Sequence, residues 1–372
     1  MSNINITARP LNLKLKYPFG ISRGSSDIAK NVLVKVEFDG IIAFGEAAPT
    51  AFYGEDQKSV IDFINRFLKY RPMDQYLTNI QKLKQDLDLF NLSFAQQLRS
   101  NLFSSSARAA IEIAFWDLIG KVHKKPMYEL IYPANPFFKE NGKFKLHPTS
   151  YTIGIDNISV IEEKTDDALN KGFNILKIKL GKSFEEDLAI LKAVTKRASD
   201  YSYRLRVDAN GAWDLERTKK MLDVLPEYKV ELLEQPLPKG EYSKLSKIIS
   251  GSPIPIICDE DCMNLSDVER LAGNVHGINI KLMKTGSIFD VIEMINLAKS
   301  YNLKVMLGCM IESSCSISAA VHISPLVDYV DLDGHLLIEN DPFYGLYLEE
   351  NIVLPSSNDG LGISLAGNDY LI

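Results

Sequence analysis

Disulfide capacity is the first thing this sequence has little of. Four cysteines in 372 residues, Cys258, Cys262, Cys309 and Cys315, are too few to scaffold a chain of this length. Cys258 and Cys262 enclose three acidic residues and have no second Cys or His pair at zinc spacing, so reduced thiols are expected rather than a zinc site. Surplus positive charge is also missing. A formal net charge of −6 argues against nucleic acid or an anionic membrane as the main partner and leaves a small molecule as the default. No stretch approaches the ~20 apolar residues of a membrane helix, and the opening MSNINITARP has neither the basic start nor the apolar core of a signal peptide. A cytoplasmic protein is the expectation.

At about 150 residues per domain, the length suggests two domains or a large α/β barrel with an addition. The first part reads as α+β. Residues 4–15 and 32–38 are strand-like, and Asp39-Gly40 is a hairpin turn into a further apolar run. Val60, Ile61, Ile64, Phe67 and Leu68 are helix-spaced, and Ala107 to Val122, carrying Trp116, is an apolar helix. The Gly- and Ser-containing stretch 17–27 reads as a mobile loop. A boundary is expected within 131–143, giving a capping domain over 1–132.

From about residue 145 a strand-then-helix rhythm sets in. SYTIGI, FNILKIKLG, YRLRVDAN, VELLEQP, IPIICDED, GINIKLMK, LKVMLGCM and YVDLDG make eight strands, mostly continuous apolar runs as in parallel strands buried on both faces. Ser183 with Glu186, and Ser266 with Glu269, form S-x-x-E capping boxes at the starts of intervening helices. Eight such units predict a (β/α)8-type barrel over 145–340, modified in its first or last helix, followed by a C-terminal segment, 341–372.

In such a barrel, charged residues that end apolar strands are the catalytic candidates. They are Lys179, Asp208, Glu234, Asp259, Lys281 and the pair Asp331/Asp333; the first five are spaced by 29, 26, 25 and 22 residues, one strand plus one helix each. Asp208, Glu234 and Asp259 on consecutive strands offer three hard oxygen ligands, a set that selects Mg²⁺; the competing reading pairs them with nearby Lys or Arg such as Arg206. Lys179 and Lys281 flank them from opposite sides as acid–base candidates. Lys177, on the same face as Lys179, would lower its neighbour's pKa by like-charge repulsion. Lys284 is expected to face elsewhere. Asp331 and Asp333 would share one face of a strand and repel unless a cation sits between them.

The motifs LKIKLG, VDANGAW, LLEQP, CDED and NIKLMKTG resemble the enolase superfamily, specifically its muconate-lactonising subgroup, and the resemblance covers nearly the whole chain. It implies an enolase-like modified barrel with an N-terminal α+β capping domain completed by the C-terminal segment. It also implies Mg²⁺ on Asp208, Glu234 and Asp259, and 1,1-proton transfer by Lys179 and Lys281 at the carbon next to a carboxylate. The D-x-D of the eighth strand and MLGCMIESS of the seventh are similar to those of dipeptide epimerases, in which the aspartates hold the substrate ammonium. Thr152, Lys177, Cys309 and Met310 would shape the pocket. Arg23 lies where Ala-Glu epimerases pair an arginine with the distal carboxylate, so the implied substrate is L-Ala-D/L-Glu, from murein peptide metabolism (peptidoglycan recycling). Cys258 and Asp261 depart from the usual Ala and Ser around the ligand Asp259. Alternatives are o-succinylbenzoate synthase or muconate cycloisomerase chemistry, whose substrates lack the ammonium, a class I aldolase, and a ligand-binding descendant without activity. A small-molecule dipeptide is the expected partner, without nucleic acid or membrane; a monomer and a homo-oligomer both fit the sequence.

Overall fold

The structure is a computed structural model that describes residues 4–70, 104–132, 134, 136–137 and 146–367. The boundary expected within 131–143 falls largely outside the described residues. Strands β1 (Ile4–Ile21), β2 (Gly24–Phe38) and β3 (Ile41–Ala47) form an antiparallel sheet in the order β1-β2-β3. Asp39 and Gly40 both have positive φ, 48° and 80°, as the predicted two-residue hairpin turn requires. Alternation then sorts the side chains. Val32, Val34, Val36 and Phe38 pack with Val60 and Ile64 of helix Gln57–Tyr70 and Ile111 and Phe115 of helix Ser105–His123, while Leu11, Leu13 and Leu33 join the barrel's core.

The stretch expected to be a loop, 17–27, is instead hairpin: pairing resumes after an irregularity between Lys14 and Phe19 and runs to Ile21↔Gly24. Its glycines served a different purpose. A Cβ on Gly20 would come within 2.1 Å of the Ile155 carbonyl oxygen, and that close approach lets Ile155 N–H donate to Gly20 O at 2.8 Å, docking the hairpin on the barrel rim.

All eight predicted barrel strands are present: β4 (Tyr151–Ile153), β5 (Ile175–Lys179), β6 (Arg204–Asp208), β7 (Val230–Glu234), β8 (Ile256–Cys258), β9 (Gly277–Lys281), β10 (Lys304–Gly308) and β11 (Tyr329–Asp331), paired in parallel in chain order. A parallel bridge between Thr149 and Val330 closes β11 onto β4. The barrel is modified at two places, the expected last helix and one that was not expected. The connection after β7 is made of 3-10 turns, Tyr242–Lys247 and Ile249–Gly251, whereas the first connection keeps its helix, Ile158–Asn170. After β11 a 3-10 turn, Gly334–Leu337, leads out of the barrel.

The Ser183–Glu186 capping box forms as predicted. The second box does not: Asn264 caps helix Leu265–Leu271, and Ser266 and Glu269 lie inside it. The Asp267 carboxylate accepts from Asn264 N–H at 3.0 Å and Met263 N–H at 2.8 Å, closing the box two residues earlier.

The C-terminal segment returns to the cap. Lys14 N–H donates to Asn340 at 2.7 Å, Glu339 N–H to the Lys14 carbonyl at 2.8 Å, and Phe343 packs edge-on to Phe44 at 5.3 Å. Farther on, Leu361 N–H donates to Asp117 at 3.0 Å. No helix of the described residues is long and apolar enough to cross a membrane.

A buried carboxylate ties cap to barrel. Glu46 on β3 accepts from Asn31 Nδ2 at 2.6 Å and from the backbone N–H and hydroxyl of Ser313, the N-cap of helix Ser314–Ile323. Burial pushes its carboxyl up to about 7 although these donors oppose the shift. A carboxyl whose folded pKa exceeds its unfolded value binds more protons folded, so its contribution is complete below about 4.5 and is lost as pH rises through about 7. Glu46→Gln should therefore flatten the fall in stability over that window. Urea midpoints for both proteins at several pH values would check it; parallel curves would contradict it.

Candidate active site

Each barrel strand sends alternate residues inward. Leu232, Ile257, Met306 and Tyr329 form an interior apolar cluster. Two residues beyond each of Leu232, Ile257 and Tyr329 stand Glu234, Asp259 and Asp331, at the carboxyl ends of their strands. Lys179, Asp208 and Glu234 lie level across β5 to β7, and Lys281, Gly308 and Asp331 lie level across β9 to β11. These predicted residues converge. Lys177, Lys179, Asp259, Lys281, Asp331 and Asp333 line one cavity of about 550 Å³ between the barrel mouth and the cap. Thr152, Cys309, Met310 and Arg23 line it too.

The carboxylates are held by lysines, not by Arg206, whose guanidinium goes to Glu231 at 2.6 Å and the Val330 carbonyl at 2.6 Å. Lys177 Nζ stands 2.6 Å from Glu234, 2.7 Å from Asp331 and 3.3 Å from Asp208. Burial disfavours its charge, but Asp331, Glu234 and Asp208 together raise its pKa well above the ordinary lysine value. Lys179 donates to Asp208 at 2.5 Å and Lys281 to Asp259 at 2.8 Å.

Lys284 does not face elsewhere. The single turn Leu282–Thr285 directly after β9 folds it back, so that its ammonium bonds the Asp259 carboxylate and the Asn279 carbonyl, the latter at 2.8 Å. A lysine three residues on is one helical turn away; only the immediate helix start brings it home.

The electrostatics divide the carboxyls. Burial works against ionisation throughout, yet Lys281 and Lys284 hold Asp259 far below the carboxylate range, and Lys179 with Lys177 lowers Asp208. Burial and the nearby Asp208 push Glu234 up to about 7. Asp331 is held at about 2, burial being outweighed by Lys177, and Asp333 is pushed up to about 7 by burial and by Asp331. Asp333 is not on the strand but at the start of the turn after β11, where it accepts from Thr152 N–H at 2.5 Å. Lys281 is itself raised, because Asp259 outweighs its burial; a cation drawing on Asp259 would remove the cause.

The oxygen-only donors suit a hard cation. Among the described residues no three Asp, Glu, His or Cys side chains surround a single ion-sized point, and each of Asp208, Glu234 and Asp259 is instead in contact with a lysine ammonium. Two further buried oxygens of this pocket, Asn210 Oδ1 and Glu260 Oε2, have no hydrogen-bond partner. The donor chemistry fits Mg²⁺ once lysine contacts are exchanged for it. Cys258 and Asp261, flagged as departures, are engaged elsewhere than at the Asp259 carboxylate. Cys258 belongs to the apolar core, and Asp261 turns to Gln235 at 2.8 Å and Gly240 N–H at 2.6 Å. All four cysteines are free, as expected.

Sequence reasoning passed over four members of this site besides Lys284. Asn279 donates to Glu234 at 2.8 Å, Ser150 donates to Asp331, and Asn210 and Glu260 meet Arg23. Asn279 and Asn210 each sit two residues from a charged candidate, which is the signal that could have found them.

Residues 160–369 match the family model described as enolase C-terminal domain-like, and residues 3–131 match that of the mandelate racemase / muconate lactonizing enzyme N-terminal domain. Over 97% of this chain and 88% of its own length, an L-Ala-D/L-Glu epimerase of Bacteroides thetaiotaomicron is 34% identical. A hydrophobic dipeptide epimerase of a Flavobacteria bacterium is 32% identical over 99% of this chain and all of its own. The crystal structure of a dipeptide epimerase from Enterococcus faecalis, complexed with Mg and L-Leu-L-Tyr, is similar with a TM-score of 0.83 at 29% identity, covering 98% of this chain and 100% of that one. The chain belongs to the enolase superfamily, with the mandelate racemase and muconate-lactonising enzymes.

Proposed function

We propose that the protein is a magnesium-dependent dipeptide epimerase, an isomerase that inverts the α-carbon of the C-terminal residue of a dipeptide. The observation that carries this is the placement of two lysines. Lys179 and Lys281 end β5 and β9, four strands apart in a ring of eight, and both line the one cavity that also holds Asp331 and Asp333.

In this reading Asp208, Glu234 and Asp259 hold Mg²⁺, which when bound supplies positive charge against the carboxylate and the enediolate that deprotonation creates. A neutral lysine on one side takes the α-proton onto Nζ; the opposite lysine, as ammonium, gives a proton to the other face. Asp333, with Thr152 N–H as its donor and no lysine in contact among the described residues, receives the substrate ammonium, and Asp331 beside it adds negative charge. Lys177 fixes Asp331 and keeps the carboxylate cluster compensated. Thr152, Cys309 and Met310 shape the wall around the reacting residue.

The leading substrate is L-Ala-D/L-Glu, with Arg23 as the distal cation. A second reading, an apolar second residue, is favoured by Phe19, Ile21, Ile28, Phe52, Met310 and Ile311 on the cavity wall. The proposal carries with it a capping domain of 1–132, a barrel of 145–340 and a C-terminal return of 341–372, acting in the cytoplasm on murein peptides, without nucleic-acid or membrane partner.

The test is exchange of the α-hydrogen in D₂O across a dipeptide library. Exchange should occur at the C-terminal residue, stop on exhaustive chelation, and weaken on N-acetylation by more than tenfold, since a charge-assisted contact contributes about 1.5–3 kcal/mol. Equal exchange of free and N-acetylated dipeptides would remove the ammonium site and return the subgroup's other reactions to consideration.

A further inference from the structure

Arg23, the cation proposed for a distal carboxylate, is already engaged. Its Nη2 lies 3.0 Å from Glu260 Oε1, its Nη1 donates to the Asn210 carbonyl at 2.7 Å, and its guanidinium lies 4.3 Å over the Phe52 ring. Glu260 is 2% exposed and Arg23 35%. Of the pair, Glu260 is enclosed and the cation is the partner that an incoming ligand can reach. Asn210 Nδ2 also approaches Glu260 Oε1 at 3.3 Å, while Glu260 Oε2 is buried without a hydrogen bond. Nothing else on the cavity wall neutralises Glu260 by direct contact among the described residues.

We infer that Glu260 is a specificity-determining residue, an internal anion that competes with the substrate's second side chain for the Arg23 guanidinium. An incoming carboxylate meets a neutral pair instead of a free cation. To bind, it must draw Arg23 away and leave Glu260 buried with one charge uncompensated beside Asp259, or share the guanidinium with Glu260 at close like-charge range; both oppose anionic side chains. An apolar side chain touches Phe52 and its neighbours without disturbing the pair. Glu260 thus sets how strongly the pocket discriminates for or against glutamate, and the geometry of the guanidinium fork makes the competition a direct one.

This inference rests on the dipeptide reading, so its test is binding rather than turnover. Dissociation constants for Ala-Glu and Ala-Leu are measured by calorimetry with Mg²⁺ present, in the native protein, in Glu260→Gln and in the Glu260→Gln/Arg23→Met double variant. Taking the ratio of the two dipeptides cancels any loss common to both, including a change at Asp259, and Mg²⁺ affinity measured separately shows whether such a change occurred. Glu260→Gln should shift the ratio toward Ala-Glu by at least tenfold, and the double variant should lose that gain. An unchanged ratio, a shift toward Ala-Leu, or a gain that survives loss of Arg23 would overturn the inference. If α-hydrogen exchange is absent while the ratio shifts as stated, the epimerase reading fails and this one stands. If neither dipeptide binds, both fail.

Discussion

Lys179→Ala and Lys281→Ala are each expected to lower epimerisation by roughly 10²–10⁴-fold, the usual contribution of a positioned acid or base. The more telling result is one-sided. Each variant should still exchange the α-hydrogen of the diastereomer that presents it to the surviving lysine, so L,L and L,D dipeptides in D₂O should show complementary losses. This follows from the two strands' positions across the ring and from the different carboxylates each lysine touches, Asp208 for Lys179 and Asp259 for Lys281. Two variants that lose exchange with the same isomer would rule out a two-base mechanism, and variants at native rates would rule out both lysines.

Lys177→Met should cost about 3–5 kcal/mol of stability in metal-free protein, the range for removing one partner from a buried ionic cluster. The length of the side chain is kept; the charge is not. Glu234, Asp331 and Asp208 would then share a buried space without their common ammonium, Glu234 and Asp331 losing their nearest cation. Added Mg²⁺ should stabilise the variant more than the native protein, because a divalent cation is an alternative compensation for the same carboxylates. Denaturant midpoints with and without Mg²⁺ decide this. A variant as stable as native without metal would show that the cluster does not need Lys177.

Much of this architecture was legible because parallel barrel strands are apolar on both faces and end abruptly in charge. The spacing of Lys179, Asp208, Glu234, Asp259 and Lys281 is the repeat of the barrel itself, and all five lie at the carboxyl ends of consecutive or opposed strands. Four things were hidden for different physical reasons. Lys284 depends on where a short helix begins, and no local preference in LMKT fixes that to the residue. Gly20, Gly24 and the serines of 17–27 have the composition of a loop, yet tertiary contact with Ile155 makes the segment strand. The Asn264 cap outcompeted Ser266 because the Asp267 carboxylate accepts from two backbone N–H groups there, a choice made by geometry within one turn. Arg23 was placed correctly in the cavity wall, but its pairing with Glu260 joins residues 237 positions apart and leaves no trace in either neighbourhood.

The return of the C-terminal segment to β1 has a consequence for how the molecule is made. Lys14 is bonded to Asn340, 326 positions later, and Asp117 to Leu361, 244 positions later. During synthesis the first strand's edge therefore waits for almost the whole chain, and the cap sheet must persist with that edge open while eight barrel strands emerge. Pairings so distant in sequence close slowly, since the loop entropy has to be overcome before any contact rewards it. The nascent chain consequently exposes an unpaired strand edge for the longest part of its synthesis, the interval in which such edges associate with one another. Truncations that remove the last turns of the chain should on this account fail in yield and solubility well before they affect any residue of the cavity.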